Sequence, residues 1–216
     1  MIFVNFKTYE QATGEASLIL AKICAEVSQI TSIKIIPIVQ AVDIWRLASQ
    51  GLEVWAQSAD TIDFGAHTGS ILPEAVLAAG AKGFLLNHSE KKLSSSDLEK
   101  ILNKLKIKNV PTLVCAEKID EASSIIGFQP TFIAYEPSEL IGGQVSVSQA
   151  KPEIISEFIA KITGVPILVG AGIHTPQDVQ KALELGAKGI LVSSGVVLAP
   201  NPREVLLNLA RGFKND

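Results

Sequence analysis

A glutamate stands directly after an apolar run in Thr131-Phe-Ile-Ala-Tyr-Glu136-Pro137. A carboxylate is costly to bury, so one at this place needs either a partner or a task. The task would be that of a general base, its pKa raised by an apolar, closable surround. The partner would be a salt bridge at a strand end, and the residue by itself leaves both readings open. A histidine has the same relation to another apolar run, in Gly83-Phe-Leu-Leu-Asn87-His88-Ser-Glu90-Lys91-Lys92. Neutral imidazole can donate a hydrogen bond to a substrate carbonyl or shuttle a proton, while many lone histidines are structural. Asn5-Phe6-Lys7 ends a third run. Strand alternation puts Asn5 and Lys7 on one side and Phe6 on the other. A cation there can hold an anionic substrate and the negative charge that develops as it reacts.

Small residues mark two further places. Gly170-Ala-Gly172-Ile-His-Thr-Pro176 and Ser193-Ser194-Gly195 each follow an apolar run, where bare backbone N–H groups can approach a phosphate. The Gly-x-Gly does not continue to a third glycine and comes late in the chain, which argues against a dinucleotide fold. After Glu136, the stretch Pro137 to Gln144 has proline at one end and paired glycines at the other, the pattern of a hinged lid. His67 and His174 lie at no ligand spacing from His88 or from each other, so no metal is expected. Cys24 and Cys115 form neither a redox pair nor a disulfide framework.

These residues need a scaffold that brings strand ends together. Strands are expected at Ile2–Phe6, Lys34–Val39, Glu53–Gln57, Gly83–Leu86, Pro111–Cys115, Thr131–Tyr135, Pro166–Val169 and Gly189–Val192. Each is nearly all apolar, as a strand covered on both faces must be. Helices are expected at Glu15–Ser28, Val42–Ser49, Ser94–Leu105, Ile119–Ile126, Lys151–Ile162, Pro176–Leu185 and Pro202–Arg211, with a short one opened by Pro73-Glu74. Ser96-Asp97, Thr175-Pro176 and Asn201-Pro202 supply start signals. Eight strand–helix units suit a closed barrel or an open doubly wound sheet. Gly80-Ala-Lys-Gly83 recurs as Gly186-Ala-Lys-Gly189 about half a chain later, which favours two half-barrels. The expected class is therefore α/β, a (β/α)8 barrel formed by residues 1–216 as one domain. Its strand ends also carry Gln40, Gln57 and Glu117, and polar groups gathered on that face indicate an enzyme.

Together, Asn5-Phe-Lys7, Asn87-His-Ser-Glu90, Ala134-Tyr-Glu-Pro137 and Leu168-Val-Gly-Ala-Gly-Ile173 resemble the triosephosphate isomerase family, in its compact archaeal form, over essentially the whole chain. The resemblance implies interconversion of dihydroxyacetone phosphate and glyceraldehyde 3-phosphate without a cofactor. It implies Glu136 as the base, neutral His88 as the electrophile, and Lys7 as the positive charge. Asn5 would help position the substrate, and Glu90 would support Lys7 and His88. Ile141 and Gly142 of the lid, with Gly172, Ser193 and Ser194, would hold the phosphate, backed by a helix beginning near Gly195. The loop Gln57 to Gly69 would insert its Thr68-Gly69 tip into a neighbouring subunit, giving a homodimer or homotetramer. The lid departs from many relatives at Ser138-Glu-Leu140 and Gly142-Gly-Gln144. Lys91-Lys92 replaces a commoner arginine pair and cannot make its bidentate contacts, which implies a looser brace.

Composition bounds the alternatives. Of 216 residues, 47% are hydrophobic and 19% charged, which excludes a disordered chain. No apolar run approaches the ~18 residues of a spanning helix. A net charge of -3 gives no electrostatic case for nucleic acid or anionic lipid. The first residues carry no signal-peptide pattern, so a cytoplasmic protein is expected. Two other readings compete: another phosphate-binding barrel enzyme, of ribulose-phosphate, tryptophan- or thiamine-pathway type, which should lack the Asn5, Lys7, His88 and Glu136 set, and a non-catalytic barrel that binds ligand without turnover.

Overall fold

A computed structural model describes residues 1–137 and 152–213. Eight parallel strands close into a barrel: β1 Ile2–Asn5, β2 Ile35–Val39, β3 Trp55–Ala56, β4 Phe84–Leu86, β5 Thr112–Ala116, β6 Phe132–Tyr135, β7 Ile167–Val169 and β8 Gly189–Val192. Each pairs with the next, and β8 returns to β1 through Ile2 opposite Ile190. The described helices are α1 Glu15–Thr31, α2 Ile44–Ala48, α3 Pro73–Ala78, α4 Ser95–Ile107, α5 Ile119–Ile126, α6 Pro152–Lys161, α7 Pro176–Glu184, α8 Ser194–Val197 and α9 Pro202–Arg211.

Alternation along the strands divides the apolar residues into two layers. Phe3, Ile38, Leu85, Leu113, Cys115, Ala134, Leu168 and Leu191 fill the barrel, whereas Ile2, Val4, Phe6, Val39 and Val114 meet the helices. Both faces are dry, which is why the strands read as unbroken apolar runs. One end of the interior is closed by aromatic rings. Phe3 meets Trp55 edge-on at 4.8 Å between centroids and Phe132 at 6.0 Å. Gly83 makes this possible, because a Cβ there would lie 2.4 Å from the Trp55 ring.

Local chemistry explains where elements begin and end. Thr175 and Asp178 form a reciprocal cap on α7, and Asn201 accepts the Glu204 N–H to start α9. Such caps contribute about 1 kcal/mol each. For α4 the cap is Ser94, which accepts the Asp97 N–H at 3.0 Å, two residues before the expected Ser96 signal. α1 runs on to Thr31, and Ser32 ends it in a left-handed conformation. The expected helix Val42–Ser49 divides into a 3-10 turn, Ala41–Asp43, and α2. There the buried Asp43 carboxylate accepts the Gly14 N–H at 3.1 Å, tying the turn to the preceding unit. β3 keeps two of its five expected residues, flanked by a buried Val54 and by Gln57, whose side chain turns to the strand ends.

Candidate active site

At the C-terminal ends of the strands lies a cavity of about 670 Å³ lined by Asn5, Lys7, His88, Glu136, Gly172 and Ser193, among others. Glu136 extends β6, its N–H donating to the Ala116 carbonyl at 2.9 Å. The residue is 5% exposed. The Cys115 side chain, inside the barrel on β5, is near enough to favour its charged form, and Oε2 has no hydrogen-bond partner among the described residues. Burial raises its pKa from the usual 4.5 to about 7, against the opposing effects of Cys115, Lys7 and Lys92. An unsatisfied buried carboxylate costs stability and persists where a task requires it.

Gly170 shapes the place where that carboxylate sits. A Cβ on Gly170 would fall 2.5 Å from Glu136 Cγ. Gly170→Ala is therefore expected to push the Glu136 side chain aside and lower turnover by about 10²-fold, as small displacements of a reacting group do. Steady-state isomerase kinetics beside a melting curve test this, and turnover within twofold of wild type would contradict it.

His88 follows β4 and is likewise buried. Its Nδ1 accepts the Glu90 backbone N–H at 3.1 Å, so in the neutral ring the proton sits on Nε2. Nε2 lies 3.8 Å from Glu136 Oε1. Burial and then the Lys7 charge hold the imidazole pKa below its ordinary 6.5, overcoming the opposite pull of Glu90. A neutral donor thus borders the same volume as the carboxylate.

Lys7 reaches the cavity by a route that alternation does not describe. β1 ends at Asn5, and Lys7 turns inward with a φ of +46°. The Asn5 Oδ1 accepts its N–H at 3.0 Å, and Gln57 Nε2 donates to its carbonyl at 2.7 Å. These bonds hold a conformation that a lysine rarely adopts. Its ammonium meets Glu90 Oε1 at 2.7 Å, while the other Glu90 oxygen lies 3.6 Å from His88 Nδ1. Phe6 points to the helices, as alternation requires.

Gly172, Ser193 and Ser194 line the opposite side of the cavity. Ser193 Oγ donates to the Asn5 carbonyl at 2.7 Å, leaving backbone as the main polar surface there. α8 begins at Ser194, one residue before the expected Gly195. Ile141, Gly142 and the rest of the lid from Ser138 to Gln144 lie outside the described residues. Thr68 and Gly69 are exposed at the end of the loop after β3, and do not line the cavity. That loop is anchored by Asp60, which accepts the Ile71 N–H at 2.7 Å and meets Lys91 Nζ at 3.0 Å. The two lysines brace different things, since Lys92 pairs instead with Glu117 and Glu121.

Sequence reasoning missed Cys115 as part of the site, and placed Gly170 and Gln57 on its face without the roles they have there. Cys115 reads as one more apolar strand position, and only its in-facing register beside β6 gives it away. Gln57 was legible as a polar strand end, without a role.

The chain that carries this carboxylate, histidine and lysine at three strand ends is similar to known proteins. The model of the family described as "Triosephosphate isomerase" matches residues 1–210. The chain belongs to the triosephosphate isomerase family. It is 42% identical to the triosephosphate isomerase of Methanothermus fervidus, over 97% of this chain and 96% of that one. The Methanocaldococcus jannaschii triosephosphate isomerase is 39% identical, over 98% and 99% of the two chains. Among solved structures, Bartonella henselae triosephosphate isomerase superposes with a TM-score of 0.71 at 19% identity, covering 95% of this chain and 96% of that one. That last likeness concerns the barrel alone.

Proposed function

We propose that the chain interconverts dihydroxyacetone phosphate and glyceraldehyde 3-phosphate as a triosephosphate isomerase, with Glu136 as the base and His88 as the electrophile. The observation that carries the assignment of roles is a buried carboxylate with an oxygen unpartnered among the described residues, its other oxygen 3.8 Å from the Nε2 of a histidine held neutral. Glu136 takes a proton from the carbon beside the substrate carbonyl. His88 Nε2–H and the Lys7 ammonium stabilise the enediolate oxygens as charge moves onto them. Glu136, now protonated, returns a proton to the adjacent carbon. His88 Nε2–H gives its proton to the former carbonyl oxygen and takes one from the former hydroxyl oxygen, and the carbonyl has moved by one position. Atoms and electrons balance within the substrate, so no cofactor enters.

Asn5 and Glu90 hold Lys7, and the Glu90 N–H fixes the imidazole tautomer. Backbone groups of Gly172, Ser193 and Ser194 receive the phosphate, with Ile141 and Gly142 closing over it. A coupled assay with glyceraldehyde 3-phosphate tests the reaction. Phosphate binding without turnover in that assay would favour the non-catalytic barrel.

Self-association as a homodimer or homotetramer belongs to the same reading, with the Thr68-Gly69 tip reaching the neighbour's site. Phe64 on that loop is 76% exposed, and a neighbouring subunit engaged by the loop would cover it. Phe64→Asp is therefore expected to shift sedimentation to a smaller species and to reduce turnover. An unchanged mass at low micromolar concentration would contradict it. No described helix is long and apolar enough to cross a membrane, and a cytoplasmic location fits the proposed reaction.

A further inference from the structure

Behind the cavity wall lies a polar cluster that the proposed chemistry does not use: Asn87, Lys92, Glu117 and Glu121. Asn87 immediately precedes His88, is buried, and has a φ of +58°. Its Nδ2 donates to the Cys115 carbonyl at 3.0 Å and to Glu121 Oε1 at 2.8 Å, while its Oδ1 accepts the Leu93 N–H at 3.1 Å. Glu121, in the first turn of α5, uses Oε2 to accept the Glu117 N–H at 2.8 Å. Its Oε1 also meets Lys92 Nζ at 2.8 Å, and Lys92 meets Glu117 at 2.9 Å. Both ends of the segment from Asn87 to Leu93 are thus fastened to β5 and α5, and that segment carries His88 and Glu90.

Two features argue for more than loop anchoring. A φ of +58° suits glycine at no steric cost, so three hydrogen bonds are what asparagine adds there. Cys115 also links the two proposed reacting groups through the backbone, because its carbonyl receives Asn87 and the next residue, Ala116, receives the Glu136 N–H. One amide therefore references the histidine loop to the strand that supports the base.

We propose that Asn87, clamped by Glu121, is a positioning residue that fixes His88 relative to Glu136. The proposal rests on the reading of His88 and Glu136 as electrophile and base. Neither Asn87 nor Glu121 lines the cavity, so neither touches substrate. Lys92, gathered into the same cluster, adds to the field that favours neutral His88 and opposes the upward shift of Glu136.

Four variants in the coupled isomerase assay test it: Asn87→Gly, Asn87→Asp, Asn87→Asp with Glu121→Gln, and His88→Gln. Asn87→Gly keeps the backbone conformation and removes only the side-chain bonds. It is expected to lower kcat about tenfold with KM within about twofold, the signature of lost alignment without lost binding. Asn87→Asp turns a carboxylate toward the Glu121 carboxylate and the Cys115 carbonyl, and should lower kcat further. Adding Glu121→Gln restores a donor between the pair with polarity reversed, and should recover several-fold of that loss. Wild-type kcat in Asn87→Gly overturns the proposal, as does a double variant no better than Asn87→Asp. If Asn87→Asp does not fold, Asn87→Gly decides by the kcat and KM split. His88→Gln separates the two layers: activity surviving there sinks the site reading itself, whereas its loss beside an unaffected Asn87→Gly sinks only the positioning role.

Discussion

Glu136→Gln is expected to lower kcat by about 10²–10⁴-fold and, in the same protein, to raise stability above pH 7. The two effects share one cause. Burial lifts the carboxyl from the usual 4.5 to about 7, so between those values the folded chain holds a proton that the unfolded chain has released. Wild-type stability must then fall as pH rises from about 4.5 to about 7, and stay lower above it. At about 1.4 kcal/mol per pKa unit, the penalty is at most roughly 3 to 4 kcal/mol. Glutamine resembles the protonated acid and carries no such penalty. Melting temperatures of the two proteins should therefore be close at pH 4.5, separate steadily up to about pH 7 and stay apart above it. A separation that does not change with pH would show that Glu136 is not buried as a strained base.

His88→Gln is expected to cost about 10²–10⁴-fold in kcat as well, through a different loss. Glutamine keeps a donor near the carbonyl but lacks the ring that Glu90 N–H orients and cannot exchange a proton. Nitrogen NMR of the wild-type ring gives an independent check. The burial of His88 and the nearby Lys7 charge predict a neutral imidazole at pH 6.5, with its proton on Nε2. Because the folded pKa is depressed, the unfolded chain binds this proton first, and the associated stability is lost as pH falls below 6.5. A ring half protonated at pH 6.5, or protonated on Nδ1 when neutral, would contradict the assignment.

The residues of the candidate site were legible because a barrel gathers strand ends that are remote in sequence. Asn5, His88 and Glu136 each follow an apolar run, so the eight-unit count was enough to bring them to one face. Gly170-Ala-Gly172 was legible as a small-residue stretch, but its first glycine serves Glu136 more directly than any phosphate. What sequence could not show were the long-range contacts. The left-handed turn at Lys7 depends on Gln57, fifty residues away, and alternation alone predicted an extended strand there. Cys115 carries no signal of its own, since a buried apolar cysteine and one beside a carboxylate look the same in a strand. Glu121 reads as an ordinary acidic helix start, and its bond to Asn87 spans 34 positions. The fold was thus written in periodicity, which is local, and the tuning of the site in contacts between neighbouring units, which are not.

The most direct test of the central claim is isomerisation in heavy water followed by proton NMR. Glyceraldehyde 3-phosphate is converted by the wild-type protein beside Glu136→Gln. Proton transfer through Glu136 predicts turnover in the wild type, with solvent deuterium appearing on carbon 1 of dihydroxyacetone phosphate and carbon 2 of glyceraldehyde 3-phosphate, and neither product at a comparable rate in the variant. Full turnover without deuterium at either carbon, or deuterium entering equally fast without Glu136, would contradict it.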